Sequence, residues 1–216
     1  MSSDAEILLD PIPRQKYWYT RIVAPISTVV FVPTDLSPGS PLWIEGVPKE
    51  SNIPAGKHFT DIPPPGSILL EHNPKDQLVA LFGDIVATRL KTRGVLGAIA
   101  NGRGRDFVSS DKVCDENFTM WCKGLSTVGT SMEAKPWAVD VPVKIGKVEV
   151  NPGDIMVADE GERGIAVIPR DKLKKIVEML AVQKKADDGL LNDVRNGQSM
   201  ADAIKNWPEH YSVQPH

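Results

Sequence analysis

Three side chains, Asp84, Arg105 and Asp106, carry the chemistry this sequence offers. Asp84 opens a helical stretch, twenty residues follow it, and Arg105 and Asp106 then stand side by side after the glycine-broken run Asn101 to Gly104. Carboxylate oxygen is the donor a hard divalent cation takes. Mg²⁺ is held by one or two carboxylates, with water and substrate oxygens filling the remaining positions. A neighbouring guanidinium presents a planar fork to a carboxylate, or to an oxygen that gains charge in a reaction. Backbone N–H groups at the helix start, from Asp84 through Ile85 to Val86, can take a substrate carboxylate. A reading without a ligand stands beside this one: Asp84 caps or opens a helix, and Arg105-Asp106 is a surface loop.

Positions twenty residues apart need a scaffold that folds them together. Phe82, Ile85, Val86 and Leu90 recur at helical spacing, and Gly94 is a plausible C-terminal stop. Val95 to Ala100 is a short apolar run that suits a buried parallel strand, and Ser67 to Glu71 is another. Strand, helix and strand make a βαβ unit, whose crossover is almost always right-handed. The loops after its two strands leave the sheet at one edge, where open α/β sheets bind ligands. Asp84 and Arg105-Asp106 are therefore expected to converge.

The spacing Asp-x20-Arg-Asp, with Gly-Asp before the helix and the glycine-rich run before Arg-Asp, resembles the RraA-like family. NIPAGKHFTDIPPPGSILLE upstream resembles its fungal-type branch, as do GLSTVGT, VDVPVKIGKVEVNPGDIMVADE, IAVIPRDKL and KKADDGLLNDVRNGQSMADAIKNW downstream. The resemblance runs from about Ile22 to Trp207. It implies an α/β, swivelling-domain-like β/β/α fold with a central βαβ unit, a β-rich portion and C-terminal helices. It also implies a metal-dependent C–C lyase acting on a short 2-oxo acid through a pyruvate enolate. In that pattern Asp106 matches the Mg²⁺- or Mn²⁺-binding aspartate. Arg105 matches the arginine that binds the 2-oxo acid, and Asp84 the acid that orients water. A homotrimer or a pair of trimers is expected.

The sequence departs from the family pattern in three places. Phe107 to Ser110 follow Arg-Asp where a further acid is common, ADEGERG replaces a shorter turn, and amino-terminal helices are not evident. Retro-aldol cleavage needs a base for a hydroxyl proton, whereas oxaloacetate decarboxylation needs only an electron sink. The decarboxylase is therefore expected first and 4-hydroxy-4-methyl-2-oxoglutarate aldolase second. Two alternatives are an RraA-like binding protein without catalysis, and an enzyme of specialised metabolism that uses the same pocket on a larger substrate.

Composition narrows the class. Lys plus Arg number 25 against 28 Asp plus Glu, so no basic surplus argues for nucleic acid. Two cysteines, Cys114 and Cys122, make no disulfide framework. With no signal-like start evident, a cytoplasmic protein is expected. No apolar run approaches the ~18 residues of a membrane span.

The rest of the 216 residues reads as an arm over 1–20, aromatic at Tyr17 to Tyr19, and one domain over 21–216. Leu36 to Phe59 is proline-rich and reads as a long surface loop able to cover a cleft. His58 and His72 lack partners at metal-ligand spacing and read as hydrogen-bonded loop residues. Phe118 to Lys123 reads as a strand, and GLSTVGTS as a loop whose hydroxyls can contact a ligand. Val139 to Ile168 reads as short strands in a compact antiparallel or barrel-like portion, with Asp159, Glu160 and Glu162 as solvated charge. Pro169 to Ala186 reads as an amphipathic helix with the stripe Leu173, Ile176, Val177 and Leu180. A second helical piece follows from Gly189, broken at Gly197.

Overall fold

The computed structural model describes residues 10–11, 19–37, 40, 43–75 and 77–211. The chain forms two compact units, Met1–Pro169 and Arg170–His216. The first opens with β1 (Asp10–Pro11) and the long β2 (Arg21–Pro33). Then come β3 (Ile68–His72), β4 (Ala80–Phe82), helix α1 (Asp84–Thr92), β5 (Gly97–Gly104), helix α2 (Phe107–Val113) and β6 (Thr119–Leu125). β7 (Ala134–Val139), β8 (Val143–Ile145), β9 (Val148–Val150), β10 (Ile155–Asp159) and β11 (Gly164–Ile168) complete it.

Among the described residues one sheet runs β1-β6-β5-β3-β2-β10-β11, with β4 joined to β5 and β7 to β2. β2, β3, β5 and β6 are parallel neighbours, and β4 lies parallel to β5. β10, β11 and β7 are antiparallel, and β8 with β9 forms a separate hairpin. This is the α/β architecture expected, with the βαβ unit at its centre and antiparallel strands beside it. The arm expected over 1–20 lies mostly outside the described residues. Its Asp10–Pro11 segment pairs with β6.

β2 shows how the sequence writes this sheet. Its first half alternates exposed Arg21, Val23 and Pro25 with buried Ile22, Ala24 and Ile26, and pairs with β10. Its second half is buried on both faces between β3 and β7, hence the unbroken apolar run through Val29 to Val32. One sheet face packs Val29, Phe31, Leu69, Ala98 and Met120 against Ala87 and Leu90 of α1. The other packs Ile22, Val30, Ile68, Ile99 and Trp121 with Val143 and Val150 of the hairpin.

Three expectations change here. The helix is entered from β4, a three-residue strand inserted between β3 and α1, rather than from β3 itself. β5 runs on through Asn101 to Gly104 instead of breaking into a loop. Its glycines are strand glycines: a Cβ on Gly102 would stand 2.8 Å from Leu81 Cδ1, and one on Gly104 2.9 Å from Phe82 Cε2. The described part of the loop before Phe59 is tied to β7. Asn52 exchanges two hydrogen bonds with the backbone of Val139, and Trp137 Nε1 donates to Pro48 O at 2.8 Å, so this loop lies along β7. Glu160 is not solvated: it is buried and accepts from Thr20 N–H at 3.1 Å and from Thr119 Oγ1 at 2.6 Å.

The second unit is a helical hairpin of α3 (Leu173–Arg195) and α4 (Met200–Asn206). α3 passes straight through Gly189, because the Trp207 ring occupies the space a side chain there would need. Trp207 Nε1 donates to Asp193 Oδ2 at 3.0 Å, and the turn at Gly197 uses a positive φ of 87°. Ser199 caps α4, its hydroxyl accepting from Asp202 N–H. Val177 and Leu180, half of the expected stripe, are more than half exposed. Among the described residues no helix is long and apolar enough to cross a membrane.

Candidate functional site

The ends of β4 and β5 bring the head of α1 against the Arg105-Asp106 pair at one glycine. Gly83 is the N-cap of α1, so Asp84 is its first helical residue and not its cap. A methyl group on Gly83 would overlap Asp106 Oδ2 and stand 3.0 Å from Arg105 Nε. Absence of a side chain is what lets the start of α1 meet the Arg-Asp pair. Arg105 N–H donates to Phe82 O at 3.1 Å, and this bond locks the two strand ends in register.

Asp106 has φ 59° and ψ 43°, the left-handed region that Asp tolerates better than most residues. Its carbonyl accepts from Ser110 N–H at 2.8 Å as α2 begins, yet its carboxylate makes no capping bond. That carboxylate pairs with Arg105 instead, Nε to Oδ2 at 3.2 Å, and both side chains are about two-fifths exposed. One guanidinium nitrogen does not exhaust a carboxylate, which has about four lone-pair sites.

Arg105 and Asp106 line an open cleft of about 590 Å³ together with Arg103, Leu78 and the loop Leu125 to Val128. That volume lies in the range of small-molecule sites. Asp84 lines a neighbouring groove along α1 with Ile85, Thr88 and Arg89. The first intrahelical bond of α1 runs from Ala87 N–H to Gly83 O at 3.0 Å, so the amides of Asp84, Ile85 and Val86 precede the ladder. Ile85 is exposed, whereas the Val86 side chain packs on the core.

The expected loop contacts divide. Ser126 and Thr127 line the cleft. The Thr130 hydroxyl is structural and donates to Ala80 O at 2.5 Å. Loop and sheet are tied by Ser126 N–H to Gly104 O and Ala80 N–H to Val128 O, both 2.9 Å.

One polar group near the end of β3 stands outside the sequence reading of the site. Glu71 is fully buried, and neither carboxyl oxygen has a partner among the described residues. Burial pushes its pKa up to about 8. His72, expected in a loop, is the buried last residue of β3, with its Nδ1 2.7 Å from Asn101 Nδ2. Burial, with the charge of Lys123 second, holds its pKa down at about 4. His58 instead caps a short helical turn, accepting from Thr60 N–H. Among the described residues no three His, Cys, Asp or Glu side chains gather as a metal cluster. Cys114 and Cys122 are both buried.

A parallel sheet that presents an acid-arginine pair at its carboxyl edge, with antiparallel strands and terminal helices, defines the class. The chain belongs to the RraA-like family: residues 7–167 match the family described as RraA-like, Aldolase/RraA. A relative from Halalkalibacterium halodurans, provisionally assigned as a 4-hydroxy-4-methyl-2-oxoglutarate aldolase, is 32% identical over 124 residues. That match covers 57% of this chain and 56% of the relative, so the chain spans about half of that protein's length.

Two solved structures share the fold. An uncharacterised protein of Pseudomonas syringae pv. tomato superposes with a TM-score of 0.69 at 19% identity, over 90% of this chain and 82% of that one. Streptomyces coelicolor RraAS2, described as an unusual member of the RNase ES inhibitor RraA protein family, gives 0.65 at 24%, over 87% and 82%.

Proposed function

We propose that this protein is a divalent-metal-dependent C–C lyase acting on a short 2-oxo acid. The observation that carries the reading is the seating of Arg105 and Asp106 against Gly83 at the head of α1, open to the cleft. The donor set fits Mg²⁺ or Mn²⁺. Asp106 offers a hard, part-exposed carboxylate that does not serve its own helix, and these cations complete their shells with water and substrate oxygens. Bound there, the ion would supply Lewis-acid stabilisation of the electron pair released in cleavage.

The chain's own residues do the rest. Arg105 receives the 2-oxo oxygen as it gains charge, its backbone fixed by the bond to the Phe82 carbonyl and its guanidinium paired with Asp106. The amides of Asp84 to Val86 take the substrate's 1-carboxylate at the helix start. Asp84 holds a water that moves the proton. In oxaloacetate the bond from C3 to the leaving carboxylate breaks, its electrons enter the C2–C3 bond, CO₂ departs, and this water returns a proton to C3. In a 4-hydroxy substrate the same water takes the hydroxyl proton first. Decarboxylation asks less of the site and ranks first.

The test is pyruvate formation from oxaloacetate by the full chain with Mn²⁺, with EDTA, and with Asp106→Ala and Arg105→Ala, over the metal-only background. Turnover that needs both metal and Asp106 supports the lyase. Background rates with every protein would leave an RraA-like binding protein as the better account.

A further inference from the structure

Arg103 has no role in the reaction as described, yet it lines the same cleft as Arg105 and Asp106. It stands two residues before Arg105 near the end of β5, where a period of two puts both side chains on one face. Each guanidinium lies beside a glycine: Arg103 by its register partner Gly124 in β6, and Arg105 by Gly129 in the segment that follows β6. A Cβ on Gly124 would be 3.5 Å from Arg103 Nη1, and one on Gly129 3.4 Å from Arg105 Nη1. Gly124 and Gly129 therefore mark two ends of the cleft wall, with Ser126 and Thr127 between them.

Arg103 Nη1 donates to Leu125 O at 3.3 Å, which uses one of five guanidinium N–H donors. No carboxylate among the described residues pairs with it. The cleft thus has two guanidiniums against one carboxylate, and the cation argued for Asp106 makes the excess larger. A ligand with one anionic group leaves Arg103 unanswered. A ligand with two, spaced along the wall, answers both.

We propose that Arg103 is the specificity-determining residue of this cleft. It holds the distal carboxylate of a 2-oxo dicarboxylate such as oxaloacetate, at the end of the ligand away from Asp106, and so sets the preference for such ligands over 2-oxo monocarboxylates. The assignment rests on reading the cleft as a 2-oxo acid site. It also sets how binding and rate divide. A carboxylate gripped in the ground state and then lost as CO₂ is held less firmly in the transition state, so the Arg103 contact lowers KM without raising kcat.

The experiment is calorimetric titration of the full chain with Mg²⁺, using 2-oxoglutarate and 2-oxopentanoate, which share a carbon count and differ in the distal carboxylate. A charge-assisted contact of this kind sets a preference of about tenfold to a hundredfold for the dicarboxylate. In Arg103→Gln the ratio of the two affinities falls to near one. Arg103→Met, which keeps the aliphatic stem, does the same, and 2-oxopentanoate binding reports that each variant is folded. A wild type without the preference, or variants that retain it, overturns the assignment while leaving the cleft a 2-oxo acid site. Binding of neither ligand by the wild type overturns both. With oxaloacetate, Arg103→Gln raises KM without lowering kcat; a fall in kcat at unchanged KM overturns the role.

Discussion

Gly83 and Asp106, twenty-three positions apart, are so close that a single methyl on the glycine would occupy the space of the Asp106 carboxylate oxygen Oδ2. Gly83→Ala must therefore move the Arg-Asp pair or the start of α1. Its φ of −139° suits alanine, so the backbone is not the obstacle. The expected result is a protein that melts within a few degrees of the wild type and loses about a hundredfold or more in kcat/KM, as small misplacements of catalytic groups do. Near-normal turnover would show that this contact does not set the geometry.

Arg105→Lys is expected to be nearly as damaging as Arg105→Ala. A guanidinium offers its donors in a fixed plane, whereas an ammonium is a point charge on a flexible stem. Losing a prealigned donor to a developing oxyanion costs about 3 kcal/mol, or roughly a hundredfold, and falls on kcat. A lysine variant that keeps most of its kcat reduces Arg105 to electrostatic steering.

Metal is expected to be bound weakly and to be indispensable. Dialysis against EDTA should abolish turnover and Mg²⁺ or Mn²⁺ restore it, while Asp106→Ala stays inactive at metal levels that saturate the wild type. Full activity after exhaustive chelation would remove the Lewis acid from the mechanism.

Glu71 sets a pH dependence of stability. Its pKa in the folded chain, about 8, lies above the ordinary 4.5. The folded state keeps a proton that the unfolded state releases, so this contribution is full below about pH 4.5 and is lost as pH rises through about 8. Glu71→Gln should match the wild type near pH 4.5 and exceed it at pH 8 to 9. A tenfold change in proton affinity is worth about 1.4 kcal/mol, so the gain is on the order of several kcal/mol. Parallel denaturation midpoints across that range would show Glu71 ionised or solvated in the fold.

Self-association is expected at the site. Leu78, Ile85, Val108 and Met132 are each more than 60% exposed on or beside the elements that carry it, apolar side chains that a contact between copies would cover. Sedimentation should give a trimer or a pair of trimers, and Val108→Glu should shift it to smaller species. A wild-type monomer at micromolar concentration would refute this.

Much of this was readable from residues. Asp84, Arg105 and the βαβ unit follow from helical spacing and two apolar runs, because a buried parallel sheet has few other ways to be written. β4 was not readable: three residues carry no periodicity, and Ala80-Leu81-Phe82 became a strand only by pairing beside β5. The glycines of β5 misled for a related reason. Glycine ordinarily marks a turn, and only the packed Leu81 and Phe82 side chains show that here it makes room. Arg103 was legible in principle, since Arg-x-Arg is the strand period, but only once Asn101 to Gly104 is known to be strand. The burial of Glu71 and Glu160 depends on tertiary neighbours that local sequence does not name.

The loop from Leu125 to Val128 meets the sheet through backbone atoms: Ser126 N–H on Gly104, and Ala80 N–H on Val128. Those bonds are indifferent to side-chain identity. The wall facing a ligand can therefore be rewritten at 125, 127 and 128 without disturbing the strand ends that hold Arg105 and Asp106. Mutational drift in such a scaffold alters what enters the cleft before it alters what is done there. Swapping this short cassette between relatives is accordingly the economical route to a new substrate range on an old reaction.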